Sequence, residues 1–352
     1  MKFIFNYRGT GGAVAMSVLL GAAAGVAGAD SGAVERAELV MGTVARVALP
    51  ADAARPERFD VAFAAFRAVD ATMSLYRPDD ELVRVNARAA EHAEPASEAL
   101  FAVLTRAREL SDESDGAFDV TVLPLLRLRG AYPELPYLGA GSLTAVGYEG
   151  LRLDPAARTV SFARPGMGID LGGIAKGFAL ARARAALVAA GVTRARLDLG
   201  GDLAFVGGDA RGWRVAVRDP ERPDAALGVL TVDAGASVAT SGNYARDFGR
   251  EGWRAPSHIY DPRTGRPVSR DLAVTVWSSD ATDADALSTA LLVLGPEQAA
   301  PLLAREPAVG ALFSEGRGAA RRLTFVGRPP RDWTPDESAA LAVSRTEGAR
   351  AR

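Results

Sequence analysis

The chain has 352 residues, a formal net charge of −2 at pH 7 and an apolar fraction of 48%, which is normal for a globular protein with a sizeable core. It has no cysteine and only two histidines, which excludes disulfides, thiolate-bound metals, a cysteine nucleophile and a three-histidine metal site. The small net charge gives no general electrostatic reason to expect nucleic acid as a partner. Among its 41 lysine and arginine residues, only Lys2 and Lys176 are lysines.

Residues 1–29 are typical of an export signal. Lys2 and Arg8 give a basic start, an apolar run follows from Ala13 to Val26, and the small residues at 27–29 fit a cleavage site. We therefore expect an exported, periplasmic or otherwise extracytoplasmic protein. The alternative is an uncleaved segment that tethers the chain, although the run is short and glycine-rich for spanning ~30 Å of hydrocarbon. Because no cysteine follows the run, a lipoprotein signal is excluded.

The rest of the chain is predicted to alternate helices with clusters of short strands. Apolar residues at helical spacing predict helices at 57–71, 97–110, 173–190, 283–294 and 296–305. Strands are predicted at 36–48 (one strand interrupted by Gly-Thr), 117–122, 159–162, 195–199, 203–206, 213–217, 228–233, 272–277 and as a pair within 309–326. A loop is expected at 130–150. This order lacks regular βαβ spacing, which favours a single α+β domain over residues 30–333 with mixed or antiparallel sheets and packed helices, followed by a frayed polar tail at 334–352.

The most unusual stretch is GIDLGGIAKG at residues 168–177. It places Asp170 before two glycines and Lys176 in the first turn of a helix. Free amides at a helix N-terminus together with a lysine suit an anion, most naturally a phosphate. The spacing matches neither a Walker A loop nor a dinucleotide-binding turn. The alternative is a tight turn with a surface lysine, but a lysine retained among arginines indicates a need for a compact ammonium.

Two further stretches combine charged and hydroxyl side chains. In HIYDPRTG at 258–265, the sequence from Asp261 predicts a β-turn, and His258 precedes it by a short spacing. In DADALST at 283–289, a helix would put Asp285 and Thr289 on one side, an arrangement that suits a hard cation such as Mg²⁺. The alternative for these acids is that they favour the helix N-terminus. His92 lies in a Glu/Ala/Pro-rich surface segment and is expected to be incidental.

Taken in order, these stretches resemble the ApbE family, the FAD:protein FMN transferases. The resemblance covers residues 36–315 and is carried by MGT at 41–43, SLYRPDDELVRVN at 74–86, GAFDVTVLPL at 116–125, IDLGGIAKG at 169–177, LGGDL at 199–203, ATSGNY at 239–244, HIYDPRTGRPV at 258–268 and DADALSTALLVLG at 283–295. Each motif alone is weak, whereas eight in the family's order are specific.

The resemblance implies the family's own α+β fold and a Mg²⁺-dependent transfer of FMN from FAD to a Thr or Ser hydroxyl, with release of AMP. The expected acceptor is an extracytoplasmic flavoprotein, such as a subunit of a membrane redox complex, with a Ser/Thr-Gly-Ala-Thr-like motif. Two alternatives remain open: a Mg²⁺-dependent FAD pyrophosphatase that gives FMN and AMP, and a non-catalytic flavin-binding or carrier protein.

Site residues follow from the resemblance position by position. The residues expected to contact FAD are Met41, Tyr76, Ala117, Phe118, Asp119, Asp170, Lys176, His258 and Ile259. Mg²⁺ is expected on Asp285, Thr289 and the backbone carbonyl of Gly173. Lys176, His258 and Asp261 are the expected catalytic residues: Lys176 neutralises charge on the phosphates, and His258, supported by Asp261, positions or deprotonates the acceptor hydroxyl.

The chain departs from the family pattern at three positions. Ala181 stands where the family usually has an acid, Arg129 where it has Trp, and Asp80 where it has Ser. The lysine and the metal pair are intact, so we expect an active protein, and Ala181 leaves room for a different acceptor preference or lower activity.

Overall fold

The computed structural model describes residues 32–132, 135, 137, 141–222, 224–242, 259–268, 271–336 and 342–345. The α-helices are α1 Pro56–Met73, α2 Glu81–Arg88, α3 Glu98–Glu113, α4 Leu123–Leu128, α5 Ala175–Ala189, α6 Ala281–Leu294 and α7 Pro296–Arg305. The strands are β1 Ala33–Val40, β2 Thr43–Pro50, β3 Glu94–Pro95, β4 Leu151–Asp154, β5 Thr159–Phe162, β6 Ala195–Leu199, β7 Asp202–Val206, β8 Trp213–Arg218, β9 Ala226–Val232, β10 Ser237–Gly242, β11 Tyr260–Asp261, β12 Arg266–Pro267, β13 Leu272–Ser278, β14 Gly310–Glu315, β15 Arg322–Gly327, β16 Asp332–Pro335 and β17 Ala342–Arg345.

A nine-stranded sheet in the order β1-β2-β6-β7-β10-β13-β14-β15-β17 organises the fold. Its neighbouring strands are antiparallel, except that β17 runs parallel to β15. Smaller sheets are β16-β9-β8, β3-β5-β4 and β11-β12. The expected α+β class with mixed sheets and packed helices is confirmed.

The two faces of the large sheet belong to different hydrophobic cores. On β14, Ala311 and Phe313 join the larger core, which holds the helices, whereas Leu312 between them joins a second core with the β8–β9–β16 sheet. This alternation follows from the two-residue repeat of a strand. Helix α6 is buried along nearly its whole length because it lies between α5 and the strands β10 and β13. Within the described residues, no helix has both the length and the apolar composition needed to cross a bilayer.

The predicted single strand at 36–48 is wrong, since β1 and β2 form a hairpin. Met41 and Gly42 make its two-residue turn with φ of 52° and 68°, and Val40 pairs with Thr43. Two successive positive φ angles are the signature of a type I′ turn, whose twist matches that of paired strands. The turn was missed because methionine rarely adopts a positive φ.

The strand predicted at 117–122 is also wrong. Residues Val120–Val122 form a 3₁₀ turn that leads into α4, and Asp119 caps the turn by accepting a hydrogen bond from the Thr121 amide at 2.7 Å. Pro124 lies at the start of α4, where a proline costs no helical hydrogen bond. Proline here marks the beginning of a helix rather than the end of a strand.

Part of the segment 334–352, predicted as a frayed tail, is strand. Strand β16 extends to Pro335 beside β9, and the amide of Asp336 donates to the carbonyl of Leu227 at 3.0 Å. Strand β17 pairs with β15 from Ala342 to Arg345. The predicted signal at residues 1–29 lies outside the described residues.

Candidate functional site

A buried ion cluster lies where α5, α6 and β7 meet. The Lys176 ammonium, in the first turn of α5, contacts Asp202 Oδ2 at the start of β7 and lies 2.8 Å from Asp285 Oδ1 on α6. The three side chains are 15%, 6% and 3% exposed, respectively. We call Lys176, Asp202 and Asp285 the Lys176 cluster. Two carboxylates and one ammonium leave it with a formal charge of −1.

Gly177 allows α5 and α6 to approach closely enough to form this cluster. A Cβ at residue 177 would lie 2.1 Å from the carbonyl oxygen of Ala281 and 2.7 Å from Cβ of Asp285, both closer than real Cβ contacts. Its amide donates to Asp285 Oδ2 at 2.9 Å. Among the described residues, each Asp285 oxygen accepts one hydrogen bond, and a carboxylate oxygen has a second lone pair that can accept another.

The Lys176 side chain is charged at neutral pH. Burial alone would lower the pKa of Lys176, but the charges of Asp202 and Asp285 outweigh it and hold that pKa above its ordinary value. Burial raises the pKa of Asp202 to about 6, while the Lys176 ammonium opposes the increase. Lys176 is therefore a buried ammonium rather than the surface residue of the alternative interpretation.

Three hydroxyl groups lie together between β10 and α6, one turn beyond Asp285. Ser241 Oγ lies 2.8 Å from Ser288 Oγ and 3.4 Å from Thr289 Oγ1, so Ser288 and Thr289 face the same strand. A Cβ on Gly173 would lie 3.3 Å from Thr289 Oγ1, which places the backbone of Gly173 beside that hydroxyl.

Gly173, Asp285 and Thr289 offer only oxygen donors, one from a carbonyl, one from a carboxylate and one from a hydroxyl. Mg²⁺ prefers oxygen ligands and keeps several positions for water and substrate phosphate, so this donor set fits the ion. No group of three or more carboxylates or histidines at metal-binding spacing occurs in the described ranges, and any metal here would take few protein ligands.

Asp170 organises a second part of the site. Its Oδ1 accepts from the Gly172 amide at 2.8 Å, and its Oδ2 accepts from the Tyr132 hydroxyl. Burial, and then the charge of Asp170, raise the pKa of Tyr132 well above its usual value, so the phenol stays protonated and donates. The ring of Tyr76, which is 47% exposed, lies 6.3 Å from the ring of Tyr132. Tyr132 therefore connects the Tyr76 ring to the Asp170 carboxylate.

The segment 117–119 lies next to this group. The Asp170 amide donates to the carbonyl of Val120 at 2.8 Å, and the ring of Phe118 would lie 3.3 Å from a Cβ on Gly173. Ala117 and Phe118 are buried, and the Asp119 carboxylate accepts from Thr121 and from the amide of Tyr148 at 3.0 Å. Burial raises the pKa of Asp119 to about 6, although the Thr121 hydrogen bonds oppose the increase. In this structure the Asp119 carboxylate links the 119–121 turn to the backbone of Tyr148.

The remaining predicted site residues lie on two turns. Met41, in the β1–β2 turn, is half-buried and packs against the larger core, as does Ile259 before β11. The predicted β-turn is confirmed: the Thr264 amide donates to the carbonyl of Asp261 at 3.3 Å, and the Gly265 amide, at a φ of 65°, donates to the same carbonyl at 2.8 Å. Asp261 Oδ1 accepts from Arg263 Nε at 2.9 Å. His258 lies outside the described residues.

The sequence reasoning missed Asp202 and the contact made by Arg129. Asp202 is part of the LGGDL motif, and the two glycines before it have positive φ angles of 65° and 95°, a turn signal that could have drawn attention to it. Arg129 Nη2 donates to the carbonyl of Gly265 at 3.0 Å, so it links the end of α4 to the 261–265 turn. Ala181 is half-buried against the larger core.

Comparisons with known proteins identify relatives over most of the chain. The ApbE family model matches residues 41–313. The FAD:protein FMN transferase of Treponema pallidum is 34% identical over 303 residues, which cover 79% of this chain and 83% of the relative. The Escherichia coli protein of the same name is 32% identical over 260 residues, which cover 70% of this chain and 74% of the relative.

Solved structures of ApbE proteins have a fold similar to that of this chain. The apo form of the flavinyl transferase ApbE from Pseudomonas stutzeri superposes with a TM-score of 0.70 at 30% identity, over 84% of this chain and 94% of that protein. The ApbE protein from Thermotoga maritima superposes with a TM-score of 0.69 at 29% identity, over 80% of this chain and 94% of that protein.

Proposed function

The chain belongs to the ApbE family, and we propose that it transfers the FMN half of FAD to a Thr or Ser hydroxyl of an acceptor protein and releases AMP. The observation that carries this proposal is the buried Lys176 cluster beside the oxygen donors Gly173 and Thr289. A fixed ammonium next to a set of donors that fits Mg²⁺ is an arrangement suited to a pyrophosphate.

In the proposed step the acceptor oxygen forms a bond to the phosphorus of the FMN half. The bond between that phosphorus and the bridging oxygen breaks, and AMP leaves with the bridging oxygen and its electron pair. Mg²⁺, bound through Gly173, Asp285 and Thr289, would neutralise charge that develops on the phosphate oxygens. Lys176 supplies a second positive charge from the protein itself, in a site where little water screens it.

The flavin is proposed to lie toward Asp170 and its neighbours. Tyr76 offers an exposed ring, Phe118 lies beside Gly173, and Met41 is proposed to add apolar surface. Asp170, held by Gly172 and Tyr132, fixes the glycine turn that leads to Lys176. These side chains would orient FAD so that its pyrophosphate faces the Lys176 cluster.

The hydroxyl proton must go to a base, and His258, with Ile259 beside it, is the proposed candidate. Asp261 is proposed to support His258, and Arg263 holds that carboxylate within the 261–265 turn. The acceptor supplies the nucleophile, which explains why the chain needs no serine or cysteine nucleophile of its own. We further propose that the protein is exported and that its acceptor carries a Ser/Thr-Gly-Ala-Thr-like motif within a membrane redox complex.

The test combines purified protein with FAD, Mg²⁺ and an acceptor domain that contains the motif, and follows AMP release and flavin attached to the acceptor. The proposal predicts that both products form in equal amounts and that EDTA prevents both. FMN and AMP without an adduct would indicate a pyrophosphatase, and FAD retained without turnover would indicate a carrier.

The metal assignment has a matched pair of variants on α6. Asp285→Asn removes a proposed ligand and should abolish the response of the reaction to Mg²⁺. Asp283→Asn changes a neighbouring acid whose partner is Arg106, at 2.7 Å, and should leave the Mg²⁺ response intact. An unchanged response in Asp285→Asn would refute the ligand assignment.

A further inference from the structure

Asp202 is a buried carboxylate to which the proposed FMN transfer assigns no role. It is the first residue of β7 and is almost fully buried. Its Oδ1 accepts from the amide of Thr240 on β10 at 3.2 Å, and its Oδ2 contacts the Lys176 ammonium. The carboxylate therefore connects the large sheet to the first turn of α5.

Strand pairing and one hydrogen bond from the backbone position Asp202. Strands β7 and β10 pair at Leu203 and Val238, immediately beside Asp202 and the strand segment that leads to Thr240. The Thr240 side chain is in turn 3.0 Å from the hydroxyl of Thr275 on β13. Asp202 is therefore held by β7 and by the Thr240 amide of β10, and neither of these two contacts is made by Asp285.

The Lys176 cluster holds one ammonium between two carboxylates, and only one of them belongs to the proposed metal site. A divalent cation on Asp285 would repel the ammonium that now lies 2.8 Å from Asp285 Oδ1. A buried ammonium with no remaining counter-charge is strongly disfavoured and would leave the site.

We propose that Asp202 is a positioning residue that keeps the Lys176 ammonium beside the site when a divalent cation takes Asp285. Lys176 then moves from two carboxylates to one, and the ammonium and the cation can face the same pyrophosphate together. This inference rests on the proposed function, because it takes Asp285 as a ligand of Mg²⁺.

The experiment observes the ammonium directly. The full chain has two lysines, so labelling with ¹⁵N-lysine gives at most two side-chain signals, and Lys2→Arg assigns the one from Lys176. An ammonium held by buried carboxylates exchanges its protons slowly with water and gives an NMR signal, whereas an unpaired one exchanges quickly and loses it. Mg²⁺ alone is the probe, added to a concentration that saturates the wild type in calorimetry.

The comparison uses Asp202→Asn and, as a matched control, Asp198→Asn. Asp198 lies on β6, the other strand of the same hairpin, and is similarly buried, but its partners are Gly201 at 2.9 Å and Arg46 at 3.8 Å. We expect Asp202→Asn to retain the Lys176 signal without Mg²⁺, because Asp285 still holds it, and to lose the signal when Mg²⁺ is added. The wild type and Asp198→Asn should show a shifted signal that persists in Mg²⁺.

The outcomes separate this inference from the proposed function. If the wild type binds Mg²⁺ and Asp202→Asn keeps the Lys176 signal at saturation, the positioning role is overturned while the metal site stands. If the wild type binds no Mg²⁺ and its signal does not move, the metal site fails and this inference fails with it. Asp202→Glu, which restores a carboxylate, should recover the signal in Mg²⁺ at least in part; failure to do so counts against the positioning role.

Discussion

The packing of α5 against α6 makes a strong prediction for Gly177→Ala. In an exposed helix this substitution normally stabilises, because alanine is favoured over glycine by about 1 kcal/mol. Here the added methyl group would lie 2.1 Å from the Ala281 carbonyl oxygen and 2.7 Å from Cβ of Asp285. The first of these atoms belongs to the backbone of a buried helix and cannot move aside as a flexible side chain can.

Two losses follow from the separation of the helices. Overpacking a close interface costs about 1–3 kcal/mol. The Gly177 amide also moves away from Asp285 Oδ2, now 2.9 Å away, and a hydrogen bond to a charged group contributes about 1.5–3 kcal/mol. Against the helix-propensity gain of about 1 kcal/mol, we expect a net loss of about 1.5–5 kcal/mol in the free energy of unfolding.

Urea unfolding followed by circular dichroism measures this difference. Gly32→Ala is the control, since an added Cβ there meets nothing within 4 Å and the change should stay within about 0.5 kcal/mol. A Gly177→Ala variant as stable as the wild type, or more stable, would show that α5 and α6 are not packed as described and would refute the account of how Lys176 and Asp285 meet.

Two other substitutions test individual contacts. Burial raises the pKa of Asp119 from 3.8 to about 6, so the folded state holds a proton that the unfolded state releases, and stability should fall by about 3 kcal/mol as the pH rises through that window. Asp119→Asn carries no charge at residue 119, so its free energy of unfolding, measured in urea, should lack this decrease between roughly pH 4 and 7. The same decrease in both proteins would contradict the raised pKa of Asp119. Arg129→Ala removes the hydrogen bond to the Gly265 carbonyl, worth about 1 kcal/mol, and should speed amide exchange in the 261–265 turn roughly fivefold. Exchange that is equally slow in both proteins would show that Arg129 does not hold the turn.

The positions of Asp285, Thr289 and the 261–265 turn were largely predictable because their signals are local. Asp285 and Thr289 are four residues apart, so recognising α6 as a helix was enough to place them on one side. The turn that begins at Asp261 follows from proline and glycine at fixed positions. Lys176 stood out because the chain otherwise uses arginine in the described residues.

Asp202 and Gly177 could not be predicted in the same way because their roles depend on tertiary contacts. Asp202 is separated from Lys176 by 26 residues, and Gly177 from Asp285 by 108, so no local periodicity connects them. The β1–β2 hairpin was missed for a different reason: methionine at a positive φ gives no turn signal in the sequence. Local sequence patterns identified Lys176 and Asp285, whereas the contacts that bring them together are seen only in the folded structure.

The intact mass of the acceptor tests the central claim most directly. An acceptor domain with a Ser/Thr-Gly-Ala-Thr-like motif is incubated with the protein, FAD and Mg²⁺, and a second sample carries Val in place of the motif's final Thr. We predict a mass increase of one FMN group in the first acceptor and none in the second. An unmodified acceptor, while FAD is consumed or remains bound, would contradict the assignment of this chain as a flavin transferase.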